Sequence, residues 1–167
     1  MPLYFITSVE NLDSDPRNVK IGISKNIERR IGQLQTGSPH KLKLMGYIEA
    51  NNDKKLEKTL HKKYSNHRGI GEWFCLNACA VLDELCIKST RSYITVSDDP
   101  FEICSHDSDG IPEFVGAWQW GNIDYSQFCP KCGWGGGLSY NENWCGDGCL
   151  KCGFLSTFDG NNNEDIE

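Results

Sequence analysis

No stretch of the 167 residues approaches the roughly 18 consecutive apolar side chains of a membrane-spanning helix. The opening residues, MPLYFITSVE, also lack the basic-then-apolar layout of a secretory signal. A cytoplasmic protein with no membrane partner is therefore expected. Basic residues are scarce in the second half: residues 92–167 hold 2 Lys or Arg against 13 Asp or Glu, whereas residues 1–91 hold 15 against 10. The net charge of -6 thus conceals a body of +5 and an extension of -11. A ligand meets the local field, not the total, so only the body has the charge to attract a polyanion. The acidic half is instead a candidate surface for a protein partner. No internal repeat is present.

What the chain does have is cysteine, nine in all, five of them between Cys129 and Cys152. An odd count in a reducing compartment points to thiols or metal ligands and away from a disulfide framework. With 38% hydrophobic and 24% charged residues, the composition is that of a globular protein. The length suits one domain of about 100 residues and a small module.

Periodicity supplies the first part. Leu3–Val9 and Val19–Ser24 are rich in aromatic and β-branched residues, and the polar Asn11, Asp13, Asp15 and Pro16 lie between them, which predicts two antiparallel strands. Asn26 can cap a helix to about Gln35 with Ile27, Ile31 and Leu34 on one face. Leu42, Leu44 and Gly46–Ile48 predict a third strand. Asn51, Asn52 and Asp53 offer caps for a second helix through Tyr64, with Leu56, Leu60 and Tyr64 aligned. Glu72–Leu76 is a short extended piece, and a third helix follows from Asn77 to about Lys88. The result is an α+β fold, a small antiparallel sheet flanked by helices in the order ββαβα. After Arg91 the chain is rich in loop residues, with a possible strand at Phe114–Trp120, and the Asp-, Asn- and Glu-rich tail after Phe158 is expected to be disordered.

Arg30 lies three residues after Ile27 and four before Leu34, beside the buried stripe, while Arg29 points elsewhere. An arginine at the edge of a core face suits phosphate oxygens. Glu57 and His61 are one helical turn apart, a spacing that suits a hard metal ion and a neighbour. The plainer readings are a solvated arginine and a helix-stabilising pair.

Pro2, Leu3, Tyr4, then Lys20, Ile21, Gly22, then Ile27, Glu28, Arg29, Arg30, Ile31 resemble the GIY-YIG nuclease domain. The continuation through Leu34, Gln35, Thr36, Gly37, Ser38, Pro39, then Glu57 with His61, then Gly71, Glu72, Trp73, Phe74 resembles a compact phage and restriction-type branch of that family. The resemblance covers about Met1–Arg91. It implies an endonuclease that hydrolyses phosphodiester bonds in nucleic acid, DNA being the expected substrate, with Mg²⁺ or Mn²⁺. Tyr4 would deprotonate water, Lys20 would lower the Tyr4 pKa, Arg30 would stabilise the transition state and Glu57 would hold the metal ion. His61 would orient water or phosphate, or simply pack. Pro2 replaces the usual glycine, and Lys20 stands where the second motif has its tyrosine. A non-catalytic nucleic-acid- or protein-binding module with the same fold is the alternative.

Cys129-Pro-Lys-Cys132 and Cys149-Leu-Lys-Cys152, each followed by Gly, are separated by 16 residues. Two CxxC knuckles at this distance match a zinc ribbon, because tetrahedral Zn²⁺ takes four thiolates and each knuckle presents two. A redox CxxC is the other reading. Gly133 and Gly153 suit a turn with positive φ, and Cys145 is left over. So small a ribbon makes zinc structural, and metal removal is expected to unfold it while residues 1–91 stay folded. Cys75, Cys79 and Cys86 read as structural. The chain thus divides into a nuclease-like domain (1–91), an acidic connection (92–125), a zinc ribbon (126–156) and an acidic tail (157–167).

Overall fold

The computed structural model describes residues 1–9, 16–96, 103–106, 112–114, 127–143 and 145–156. Most of the acidic connection, Trp118, Trp120, Trp144 and the tail from 157 onward lie outside these residues, and with them the disorder expected of the tail.

Strands β1 (Leu3–Val9) and β2 (Arg17–Ile23) pair antiparallel, followed by helix α1 (Ile27–Gln35), strand β3 (Lys41–Ile48), helix α2 (Asp53–Lys63), strand β4 (Trp73–Leu76), helix α3 (Ala78–Ile87) and strand β5 (Ser92–Ile94). Together the strands form a five-stranded antiparallel sheet in the order β4-β2-β1-β3-β5. The fold is therefore α+β with the expected ββαβα order. The fifth strand is not legible in the sequence, because three residues cannot establish a period.

Both faces of the sheet are covered, which is why β1 reads as a nearly continuous apolar run. Leu3 and Phe5 of β1 and Val19 and Ile21 of β2 point to the face where α2 brings Leu60 and α3 brings Val81 and Leu85. Tyr4 and Ile6 point to the opposite face, against Ile27, Ile31 and Leu34 of α1. Asn26 caps α1 by accepting the Arg29 amide at 2.8 Å, and Asn52 caps α2 by accepting the Lys55 amide at 3.0 Å. No helix among the described residues is long and apolar enough to cross a membrane.

In the C-terminal part, β6 (Ile103–His106) pairs with β7 (Pro112–Phe114); beyond Phe114, the strand expected as far as Trp120 lies outside the described residues. Strands β8 (Ser139–Asn141), β9 (Gly146–Gly148) and β10 (Leu155–Ser156) form a three-stranded sheet in the order β10-β9-β8. The first cysteine knuckle rests directly on β5. The Ile94 amide donates to the Gly133 carbonyl at 2.9 Å and the Gly135 amide to the Ser92 carbonyl at 2.8 Å. Trp134 Nε1 donates to the Thr90 carbonyl at 3.1 Å, and Phe128 is buried in the main core. Residues 133–135 thus extend the sheet by one more rung.

Candidate functional site

Strand register determines which side chains meet. Tyr4 lies opposite Gly22, Ile6 opposite Lys20, and Lys20 opposite Trp73. Tyr4 and Lys20 therefore share the α1 face as diagonal neighbours, a separation of about 7–8 Å between backbones. The Tyr4 ring lies across Gly22: a Cβ there would come within 2.6 Å of the tyrosine hydroxyl, so only glycine leaves room for it. Tyr4 is 1% exposed and Lys20 7%. A lysine that deep needs a partner, and Lys20 Nζ donates to Glu72 Oε2 at 3.0 Å while lying 5.7 Å from the centre of the Trp73 ring.

Glu72 is the residue that sequence reasoning left without a role. Its carboxyl is held below the usual carboxylate range by the hydrogen bond from Lys20, against the opposing effect of burial. The positive charges of Lys20, His61 and Arg30 all lower it further, so this one carboxylate reports three of the expected site residues in its neighbourhood. Only the three-dimensional pairing of β4 with β2 reveals it, since Lys20 and Glu72 are 52 positions apart.

Arg30 projects from α1 beside the buried stripe, half-buried, while Arg29 is exposed. Its Nη1 reaches Gln33 Oε1 only at 3.5 Å, and no carboxylate among the described residues pairs with it. The guanidinium fork is thus available to an anion. From the opposite face of the sheet, α2 contributes Glu57 and His61. His61 Nε2 donates to the Ile21 carbonyl at 3.0 Å, and its ring lies 5.1 Å from that of Phe74. That carbonyl is open to a side chain because β4 stops early: its last bond to β2 is the Ile21 amide to the Glu72 carbonyl at 3.2 Å.

Glu57 is half-buried and has no hydrogen-bond or ion-pair partner among the described residues. Glu84 provides the contrast. It is almost fully buried, and its carboxylate accepts from the Tyr64 hydroxyl at 2.7 Å and pairs with Lys63. One carboxylate is consumed by the fold and the other is left for an incoming group. An unpaired, half-buried carboxylate with oxygen donors suits a hard divalent cation such as Mg²⁺ or Mn²⁺.

The four cysteines chosen by spacing come together. The Sγ atoms of Cys129, Cys132, Cys149 and Cys152 all lie within 4.8 Å of one another. The Cys129–Cys152 and Cys132–Cys149 separations are both 3.8 Å. A tetrahedral tetrathiolate with Zn–S near 2.3 Å has sulfur–sulfur edges of about 3.8 Å, so the group fits zinc. The two knuckles are copies in geometry: Gly133 and Gly153 both have φ of +71°, and their amides donate to the Cys129 and Cys149 carbonyls at 2.9 and 3.0 Å. At Gly133 the requirement is double, because a Cβ would also strike the Ile94 carbonyl oxygen. Burial pushes the Cys132 thiol up to about 12 and likewise raises Cys129, whereas backbone and neighbouring-thiol hydrogen bonds lower Cys149 against its burial; a bound cation would favour Cys129 and Cys132 as thiolates. Cys145 is exposed and outside the cluster. Cys75 and Cys79 are also exposed, which corrects their reading as structural; Cys75 is on the edge strand, alternating with the inward Phe74 and Leu76.

Lys151 and Trp134 face the body. Lys151 Nζ lies 5.7 Å from the centre of the Tyr93 ring, and Tyr93 stacks on Tyr47 at 4.8 Å and 13°. Tyr140 is exposed.

The model of the T5orf172 domain family matches residues 1–90, more than half of the chain, and the chain belongs to that family. This family is nuclease-like and is compatible with the GIY-YIG resemblance. No curated protein and no solved structure matches the chain.

Proposed function

We propose that this member of the T5orf172 domain family is a divalent-metal-dependent endonuclease that hydrolyses phosphodiester bonds in DNA, of the GIY-YIG type. The observation that supports the reading is the cationic neighbourhood of Glu72, to which Lys20, His61 and Arg30 contribute, together with two groups that have no ion-pair partner among the described residues: the half-buried Glu57 carboxylate, one helical turn from His61, and the Arg30 guanidinium. A phosphate-binding module has no use for a carboxylate that the fold leaves unpaired among the described residues, because its negative charge would repel the ligand.

In this reading Glu57 holds Mg²⁺ or Mn²⁺, which when bound supplies charge stabilisation for the departing 3′ oxygen. Arg30 binds the non-bridging phosphate oxygens and strengthens its hold as negative charge accumulates in the transition state. Tyr4 takes the proton of the attacking water at its phenolic oxygen, and Lys20 lies on the same sheet face as its diagonal neighbour. Glu72 fixes Lys20 in that position and balances part of its charge. His61, held at Nε2 by the strand backbone, presents its other ring nitrogen to water or phosphate. The residues 1–91 carry this chemistry. The ribbon at 126–156 holds structural zinc through Cys129, Cys132, Cys149 and Cys152, the acidic 92–125 segment joins them, and the acidic half remains a surface for a protein partner.

The test is cleavage of supercoiled plasmid with Mg²⁺ or Mn²⁺ by the full chain and by Glu57→Gln. Nicking that requires metal and is lost in the variant is expected. Equal activity in both, or activity without a divalent metal, contradicts the assignment.

A further inference from the structure

Helix α2 carries Lys54, Lys58 and Lys62 four residues apart, with Lys55 beside the row, and all four are exposed. Among the described residues none of them is paired with a carboxylate; the nearby Glu84 is taken by Lys63. The arrangement works against the helix itself. Like charges four apart repel, and Lys54 and Lys55 stand at the helix end whose dipole disfavours cations. The row is also lined up with the site. Lys54 is three residues before Glu57 and Lys58 three before His61, so the lysines occupy the helix flank next to those two side chains. With Asn52 and Thr59 they border a shallow groove of about 450 Å³. It contains no aromatic side chain.

We propose that Lys54, Lys55, Lys58 and Lys62 form a rail for the phosphate backbone of double-stranded DNA, and that the rail leads one strand past Glu57 and His61. This rests on the nuclease reading above. The row is about 12 Å long at 1.5 Å per residue, which corresponds to about three steps of 3.4 Å measured along the duplex axis, so its lysines can reach a few neighbouring phosphates. The absence of aromatics selects the duplex. A single strand is held by stacking its bases on rings, whereas a duplex keeps its bases inside and presents phosphate.

The test measures binding of a fluorescent 30-base-pair duplex by the full chain over a series of salt concentrations, with no divalent metal added so that no strand is cut. Three variants are compared: Lys54, Lys58 and Lys62 all to Gln; the same three to Arg; and Lys25, Lys88 and Lys131, exposed elsewhere, all to Gln. Glutamine and arginine both support helix, so the fold is kept. Each phosphate no longer neutralised by a side chain makes the slope of log affinity against log salt shallower by about 0.9. The slope of the rail-to-Gln protein should be shallower by about 2 to 3, that of the Arg protein unchanged, and that of the dispersed control shallower by less than about 1. Equal changes in the rail and control proteins overturn the rail. Binding of a single strand as tight as the duplex, with the same change in the rail variant, overturns the duplex assignment. A wild-type chain that binds no DNA even at low salt overturns the nuclease reading beneath it.

Discussion

At one edge of the five-stranded sheet, β5 is met by residues 133–135, whose backbone completes its hydrogen bonds while Phe128 fills the core below. At the other edge, β4 covers β2 only as far as Ile21, whose carbonyl is taken by the His61 side chain. The comparison separates two ways of finishing a sheet. A backbone partner seals an edge and protects it from pairing with other chains. A side-chain partner leaves the strand end without a backbone neighbour, and it is there that Lys20, Glu72 and His61 meet, within the electrostatic reach of Arg30.

The first attempt to break this comparison is at the open edge. Arg30→Ala should lower cleavage by about 10²–10³-fold, as for removal of one preorganised donor to a developing charge. Arg29→Ala, on the exposed side of the same helix, should be mild. The thermal melt should move little in both, since neither side chain is part of the core. Equal loss of cleavage in the two variants would remove Arg30 from the site.

The second attempt is at the sealed edge. Replacing Cys129 and Cys149 with Ser should abolish zinc in freshly purified protein, measured by metal analysis. The contacts of 133–135 and Phe128 change what should follow. A free-standing ribbon would unfold alone, but here its loss uncovers β5 and empties a core position, so the body should lose about 3–5 kcal/mol, as for truncation of a buried Phe. Denaturant unfolding of the body measures this, and an unchanged midpoint would show the ribbon to be an independent module.

A smaller effect is expected from Gly22→Ala. Its Cβ would fall 2.6 Å from the Tyr4 hydroxyl, and overpacking of this kind costs about 1–3 kcal/mol. Cleavage should fall with stability because the ring that must move is that of Tyr4. The smallest effect concerns acid. Glu72 has a depressed carboxyl in the folded chain, so its contribution to stability is present above the ordinary value of 4.5 and is lost as pH falls through the lower folded value. Melting between pH 3 and 6, on the order of that window, should show this acid sensitivity in the wild type and less of it in Lys20→Ala, where the hydrogen bond is gone.

Local patterns carried much of this into view from the sequence. Tyr4 and Lys20 come from the resemblance to the GIY-YIG domain, Arg30 and Glu57 from helical spacing as well, and the four cysteines from two matched knuckles with Cys145 left over. What stayed hidden depends on distant partners. Glu72 gains meaning only from a salt bridge across 52 positions, Gly22 only from the ring laid over it, and Gly133 only partly from its turn, the rest from the Ile94 carbonyl it must clear. Strand β5 and the seat of the ribbon on it were likewise beyond periodicity, because three residues carry no period and their partners lie about forty positions away on either side.

The most direct measurement of the central claim is nicking of supercoiled DNA by the purified full chain with and without Mg²⁺ or Mn²⁺, beside Glu57→Gln at equal zinc content. Metal-dependent nicking by the wild type, reduced by at least about 10²-fold in the variant, is the predicted result. Undiminished nicking by Glu57→Gln, or binding of DNA with no cleavage under any divalent metal, would contradict it.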